Sequence, residues 1–289
     1  MPEVSFLSCL RCFLALFCTL GPLHAVHAQS TEADIKARLK DEPLYLRGFW
    51  NDDKLRFDAT GHLVGKSGPT TFTLSGFEFR KVQIKQDKLI LEGRRVGLEL
   101  RDNKQTRVPI NTGSPKADVI HIEIPANPTG DYGPALDAIF VNSLVDLVPS
   151  LPFYWQPYAV KNFILDNRAA GQSPPLTVTK PDSGGQSLTS LKTNPQLSGT
   201  GTLRPKLLHS EEPNFTEAAR SLKYGGDVLV HFWVKPDGTV TDLSIVRPVG
   251  MGLDERALVA VQHYVFAPAT QNGKPVPFEL NVEVNFQIF

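Results

Sequence analysis

The sequence predicts an α+β protein in two parts. The first is a mainly antiparallel β domain, a sandwich or partly closed barrel. The second is a small α-β-β-α-β domain with a three-stranded antiparallel sheet. Three observations carry this. From Leu44 to about Ile124 the text is strand after strand, short alternating runs separated by turn signals. From Arg168 to about Thr202 the composition shifts to Pro, Ser, Thr, Gly and Gln, as in GQSPPLTVTKPDSGGQSLTS, and no period of 2 or 3.6 survives. In the last stretch Phe278, Leu280, Val282, Val284, Phe286 and Ile288 alternate with Glu279, Asn281, Glu283, Asn285 and Gln287, so one sheet face meets a core and the other meets water.

The N-terminus comes first. Arg11 precedes the apolar run CFLALFCTL, Cys12 to Leu20, which Gly21-Pro22 then breaks. That run is roughly nine residues, against about 20 needed to span a bilayer as a helix. Val26-His27-Ala28 offers small residues where a signal peptidase needs them, so residues 1–28 read as a cleaved signal peptide. Cys9, Cys12 and Cys18 all lie inside it, which leaves a mature chain with no disulfide and no thiol ligand or nucleophile. The 30 basic and 30 acidic residues balance, giving no nucleic-acid footprint, and 41% apolar content marks a globular chain of 289 residues, long enough for two cores.

Residues 31–166 form the β-rich domain, whose function the sequence does not disclose. TEADIKARLK reads as a short helix with Ile35 and Leu39 on one face and Ser30 or Thr31 as its cap. Strands follow in LYLRGFW, KLRFDATGHLVG, TFTLSGFEFRKVQI, KLILEGRRVGLEL and DVIHIEI, with Lys85-Gln86-Asp87 as the turn between the longest two. PALDAIFVNSLVDLV reads as one helix, with Leu136, Ile139, Phe140 and Leu144 at helical spacing. LPFYWQPYAV then places four aromatics in six residues, read as packing over a sheet and covering its edge rather than as an exposed stacking platform.

Residues 167–202 are the flexible linker, on the order of 30 Å across as a loose coil. Residues 203–289 are the second domain. Asn214 or Thr216 can cap a short helix that Gly225-Gly226 stops. DVLVHFWVK puts Val228, Val230, Phe232 and Val234 on one face, Pro236-Asp237-Gly238 turns the chain, and TVTDLSIVRPV returns. LDERALVAVQHYVF is an amphipathic helix with a stripe of Leu253, Ala257, Val261 and Val265, and with Asp254 and Glu255 at its dipole-favoured start.

At these residues the chain resembles the C-terminal domain of the TonB family of energy transducers, over about residues 203–289. The resemblance rests on Pro213 and Phe215, Asp237-Gly238, Leu253-Asp254, Phe266 with Pro268, and Gly273-Lys274-Pro275-Val276, in order. It implies a periplasmic module that binds the N-terminal peptide of an outer-membrane transporter by β-strand addition, in the service of transport across the outer membrane. The receiving edge it implies is the last strand, with Asn281, Val282, Glu283, Val284 and Asn285 as the contact strip; a homodimer through the same strand is the other occupant. Full transducers begin with an uncleaved transmembrane helix carrying a Ser and a His four apart, which SFLSCLRCFLALFCTL lacks. The competing reading is therefore a periplasmic binding or envelope-structural protein that reuses the module without energy transduction.

No enzyme signature accompanies this. Motif searches find no G-x-S-x-G, Walker loop or H-E-x-x-H, and the histidines beyond the signal segment show no second His at metal-ligand spacing. His121 and Glu123 share a strand face, but two ligands do not make a metal site. The chain is read as a non-enzyme, without cofactor, metal, nucleic-acid partner or membrane span after cleavage.

Overall fold

The structure, a computed structural model, describes residues 30–101, 104–110, 119–165 and 201–288. The signal segment, the three cysteines and nearly all of the linker lie outside the described residues. The first helix, α1 (Glu32–Leu39), forms where expected, with a capping box in which Thr31 and Asp34 satisfy each other's backbone N–H. Ile35 and Leu39 are its buried face.

The β-rich domain is built on β1 (Leu44–Leu46), β2 (Lys54–Arg56), β3 (Gly76–Lys85), β4 (Lys88–Arg101), β5 (Lys104–Pro109), β6 (Val119–Pro125) and β7 (Phe140–Val141). They form one seven-stranded sheet in the order β2-β6-β4-β3-β1-β7, with β5 beside the far half of β4 and only β2-β6 parallel. The β3-β4 turn works because Gln86 and Asp87 both take positive φ, 48° and 58°, matching the twist of the strands they join. Two expectations shift. TFTL is not strand but a 3-10 turn, Phe72–Leu74, capped by the Thr71 hydroxyl. The single helix over 134–148 is three pieces: α2 (Gly133–Ile139), then β7, then α3 (Leu144–Leu147) with Ser143 as its cap. Phe140-Val141 leaves the helix because it pairs with Tyr45-Leu46, closing the margin of the sheet. Strand β5 had no apolar alternation to announce it, since KQTRVP is largely exposed.

The chain then turns through Phe153–Trp155, α4 (Gln156–Ala159) and the wider-turned helix Val160–Leu165. After residue 200 come β8 (Thr202–Leu203), β9 (Lys206–His209), α5 (Glu217–Ser221, capped by Thr216), β10 (Gly226–Val234), β11 (Val240–Arg247), α6 (Leu253–Gln262), β12 (Val265–Ala267), β13 (Ala269–Gln271), β14 (Lys274–Val276) and β15 (Phe278–Phe286). The main sheet has the order β11-β10-β15, and the apolar face of β10, Val228, Val230, Phe232 and Val234, is wholly buried. Helix α6 is shorter than its apolar run. Val265 leaves it to pair in β12 with β9, and is half exposed. The Pro236-Asp237-Gly238 turn is pinned from outside: Gly238, at φ 83°, accepts from the Phe266 N–H at 2.9 Å.

What positions the C-terminal sheet is a seam with β4. Beyond Val96 the strand β3 has run out, and residues 249–251 take its place: Leu100 N–H donates to the Val249 carbonyl and Met251 N–H to the Leu98 carbonyl, each at 2.9 Å. Gly252 N–H donates to the Thr73 hydroxyl at 2.9 Å. Arg101 holds the other end, donating to the Tyr224 hydroxyl and the Gly225 carbonyl while stacking on the Tyr224 ring. Around the seam one apolar cluster draws Phe72, Leu98, Trp155 and Phe163 together with Val228, Phe232, Met251 and Val261. The aromatic segment thus does pack over a sheet, but that sheet is the C-terminal one, where it lies against β11.

Gly250 is what the seam cannot change. Its φ is 93°, and a Cβ there would stand 2.0 Å from the Leu98 carbonyl oxygen. Gly250→Ala should lower stability by about 2–4 kcal/mol, read as a fall in the urea midpoint of the purified chain; an unchanged midpoint would mean that the seam does not form.

Candidate functional site: the open edge of the C-terminal sheet

Strand β15 pairs along its whole length with β10, from Gly226 opposite Phe286 to Val234 opposite Phe278. Among the described residues no strand pairs with its other side. An unpaired edge offers a row of backbone N–H and C=O groups to any extended chain. All five sequence-predicted contact residues, Asn281, Val282, Glu283, Val284 and Asn285, lie on this strand.

The two faces of the strand differ in what they leave free. On the solvent face each polar side chain is bonded back across the sheet. Asn281 Oδ1 meets His231 Nδ1 at 3.0 Å, and Glu279 lies 3.4 Å from the other nitrogen of the same ring. Arg247 of β11 reaches over Leu229, opposite both partners, to bond Glu283 at 2.7 Å. Asn285 donates to Asp227. On the inner face Val284 and Phe286 are buried, the latter edge-on to Phe215 at 5.4 Å, whereas Phe278, Leu280 and Val282 are only half covered. The inner face of β15 therefore has apolar surface left beside the open edge.

The motif residues that carry the family resemblance have identifiable structural work. Asp254 is fully buried and accepts from the Val249 and Gly250 N–H groups at 2.8 and 2.9 Å, folding the loop that makes the seam. Burial, then the neighbouring Glu255, raises its pKa well above the ordinary carboxylate range despite those bonds. Gly273, at φ 78°, turns β13 into β14. Sequence reasoning missed His231, Arg247 and Asp227 as the partners of the polar row, and nothing in one dimension pairs them with β15 before the register is known.

Among the described residues no group of three or more His, Cys, Asp or Glu side chains is placed to hold a metal. His121 and Glu123 do share a face of β6, but the adjacent strand sets Lys54 and Arg56 opposite them. Two cations in that position disfavour a metal ion. No helix among the described residues is long and apolar enough to cross a membrane.

Residues 211–288 match the family model described as the Gram-negative bacterial TonB protein C-terminal domain. The solution NMR structure of the Pseudomonas aeruginosa TonB C-terminal domain is similar at 22% identity, covering 32% of this chain and 91% of that one, with a TM-score of 0.25. No curated protein matches the chain. Residues 211–288 thus form a TonB-type C-terminal domain. Domains of this family are binding and energy-transducing modules.

The polar row is exposed, with Arg247 and Glu283 side chains 56% and 54% accessible. Arg247→Ala and Glu283→Ala should therefore each change stability by less than about 1 kcal/mol; a larger loss in thermal unfolding would show that the row holds β15 in the sheet.

Proposed function

We propose that the C-terminal domain binds an extended partner peptide by strand addition to β15, and that the partner is the N-terminal segment of an outer-membrane transporter. The observation that carries this is the nine-residue β15, paired on one side and with no strand on the other among the described residues. Backbone hydrogen bonds along residues 281–285 supply the affinity. Selection falls to the inner face, because the polar side chains of the outer face are already engaged and Phe278, Leu280 and Val282 are not fully covered. A favoured peptide carries apolar side chains at every second position. The protein works in the periplasm as two domains, 31–166 and 203–289, joined by the linker 167–202 and exported by the signal segment 1–28.

Binding is tested on the whole mature chain, because the C-terminal core is shared with residues 30–165. In an antiparallel edge strand successive N–H groups point to opposite sides. Val282→Pro and Glu283→Pro therefore separate the two roles of the strand. One variant should lose peptide binding while keeping its melting temperature, and the other should destabilise the sheet by breaking the β10 ladder. Retention of binding by both variants, or no saturable binding of transporter peptides at high micromolar concentration, would overturn strand addition. Concentration-dependent mass in light scattering, abolished by the binding-defective proline alone, would assign the edge to a second copy of the chain instead.

Export has its own check. Intact-mass measurement of the protein from its native envelope should give a chain beginning at Gln29; a mass that includes residues 1–28 would instead support a retained anchor.

A further inference from the structure

The seam between the two halves contains a buried acid that the peptide edge does not use. Glu255 sits in the first turn of α6, and its Oε1 accepts from Trp155 Nε1 at 2.7 Å. Trp155 belongs to the other half of the chain and is completely buried. The second oxygen, Oε2, is shut off from solvent and has no hydrogen-bond partner. One buried carboxyl thus joins residues 30–165 to the C-terminal domain through the Trp155 indole.

We propose that Glu255 and Trp155 form an acid-stabilised latch, which holds the C-terminal domain firmly against residues 30–165 when Glu255 is protonated and loosens when it ionises.

An ionised carboxylate at this position is held away from bulk solvent with Trp155 and the Thr71 hydroxyl as its side-chain donors, a costly state in a buried site. The protonated group keeps the Trp155 bond and carries no net charge. Burial is the dominant influence and raises the pKa of Glu255; the Trp155 bond, the Thr71 hydroxyl nearby and Arg256 pull it down in part. Every element packed against the group bears on it. Asp254, the next residue back, is itself a buried acid pushed upward. From the β-rich half comes Arg95, whose guanidinium is committed to the carbonyls of Trp50, Asn51, Asp52 and Leu74 and so is not free to pair with Glu255. Asp52 and Asp53 lie near that guanidinium. Tyr154, beside Trp155, has its hydroxyl pKa raised by burial and then by the Glu255 charge. Glu217 of α5 lines the same cleft of about 560 Å³ that borders Glu255.

The sign follows from proton binding. A carboxyl with a raised pKa in the docked state binds more protons docked than free between its ordinary pKa and the raised one. Docking is therefore strongest below the ordinary carboxylate range and weakens as pH rises through the raised value. Each unit by which the docked value exceeds the free one corresponds to about 3–5 °C in melting temperature.

The experiment is thermal unfolding of the full mature chain from pH 4 to pH 8.5, compared with Glu255→Gln. The difference in melting temperature between Glu255→Gln and the wild type should grow in favour of the variant as pH rises, because the amide cannot ionise. Hydrogen exchange, corrected for intrinsic rate, should show the Met251 and Gly252 amides losing protection at high pH in the wild type only. Parallel pH profiles for the two proteins would sink the proposal. Trp155→Phe guards against a variant that merely misfolds: loss of the indole N–H should move the wild-type transition to higher pH, whereas a purely structural role for Trp155 would lower the melting temperature equally at every pH.

Discussion

The docking of residues 249–252 against β4 is the constraint on which the arrangement of the molecule depends. β4 is fourteen residues long, and β3 accompanies it only as far as Val96. The remaining backbone on that side needs partners, and the loop between β11 and α6 supplies them. Only a residue without a Cβ fits at Gly250, and only a buried acceptor such as Asp254 can satisfy the Val249 and Gly250 amides that face away from β4. These bonds would be weak individually, at about 1 kcal/mol net each. They matter because they fix where the apolar faces meet, so that Phe72, Trp155 and Phe163 close over the same core as Val228, Phe232 and Val261.

That arrangement treats the two margins of the C-terminal sheet differently. The β11 margin lies against the aromatic segment 153–159, which contributes Trp155 and Tyr158 to the core. The β15 margin is left without a strand among the described residues. Open edges invite uncontrolled pairing, and proteins restrain them with charge and short length. Here Glu279 and Glu283 place charge on the strand, while the bonds to His231, Arg247 and Asp227 keep the polar row over the sheet. The edge thus carries half-covered apolar side chains on one face and charge on the other.

The C-terminal fold was largely legible in the sequence because its pattern is local. Alternation identified the inner faces of β10 and β15, the Asp-Gly turn identified the β10-β11 hairpin, and Thr216 marked the start of α5. The strand that holds residues 281–285 was legible for the same reason, although its placement at a sheet margin needed the strand order. What failed to show were features decided by distant partners. The run PALDAIFVNSLVDLV has helical spacing throughout, yet Phe140-Val141 does better as a strand beside Tyr45-Leu46. KQTRVP has almost no apolar pattern because β4 supplies the pairing and little of it is buried. Glu255 reads as a favourable charge at a helix start; only the fold sets Trp155 against it.

The conflict between those two roles of Glu255 is physically informative. At an exposed helix N-terminus an acid is favoured by the dipole by about 0.3–1 kcal/mol. Placing the same carboxyl beneath Trp155 removes the water that made its charge inexpensive, and burial then outweighs the dipole. An apolar residue would fill the site without that cost but would leave the indole N–H of a completely buried Trp155 without an acceptor. Glutamine would serve the indole equally well at all pH values. A glutamate is the choice that satisfies the indole and also makes the grip between the two halves depend on proton concentration.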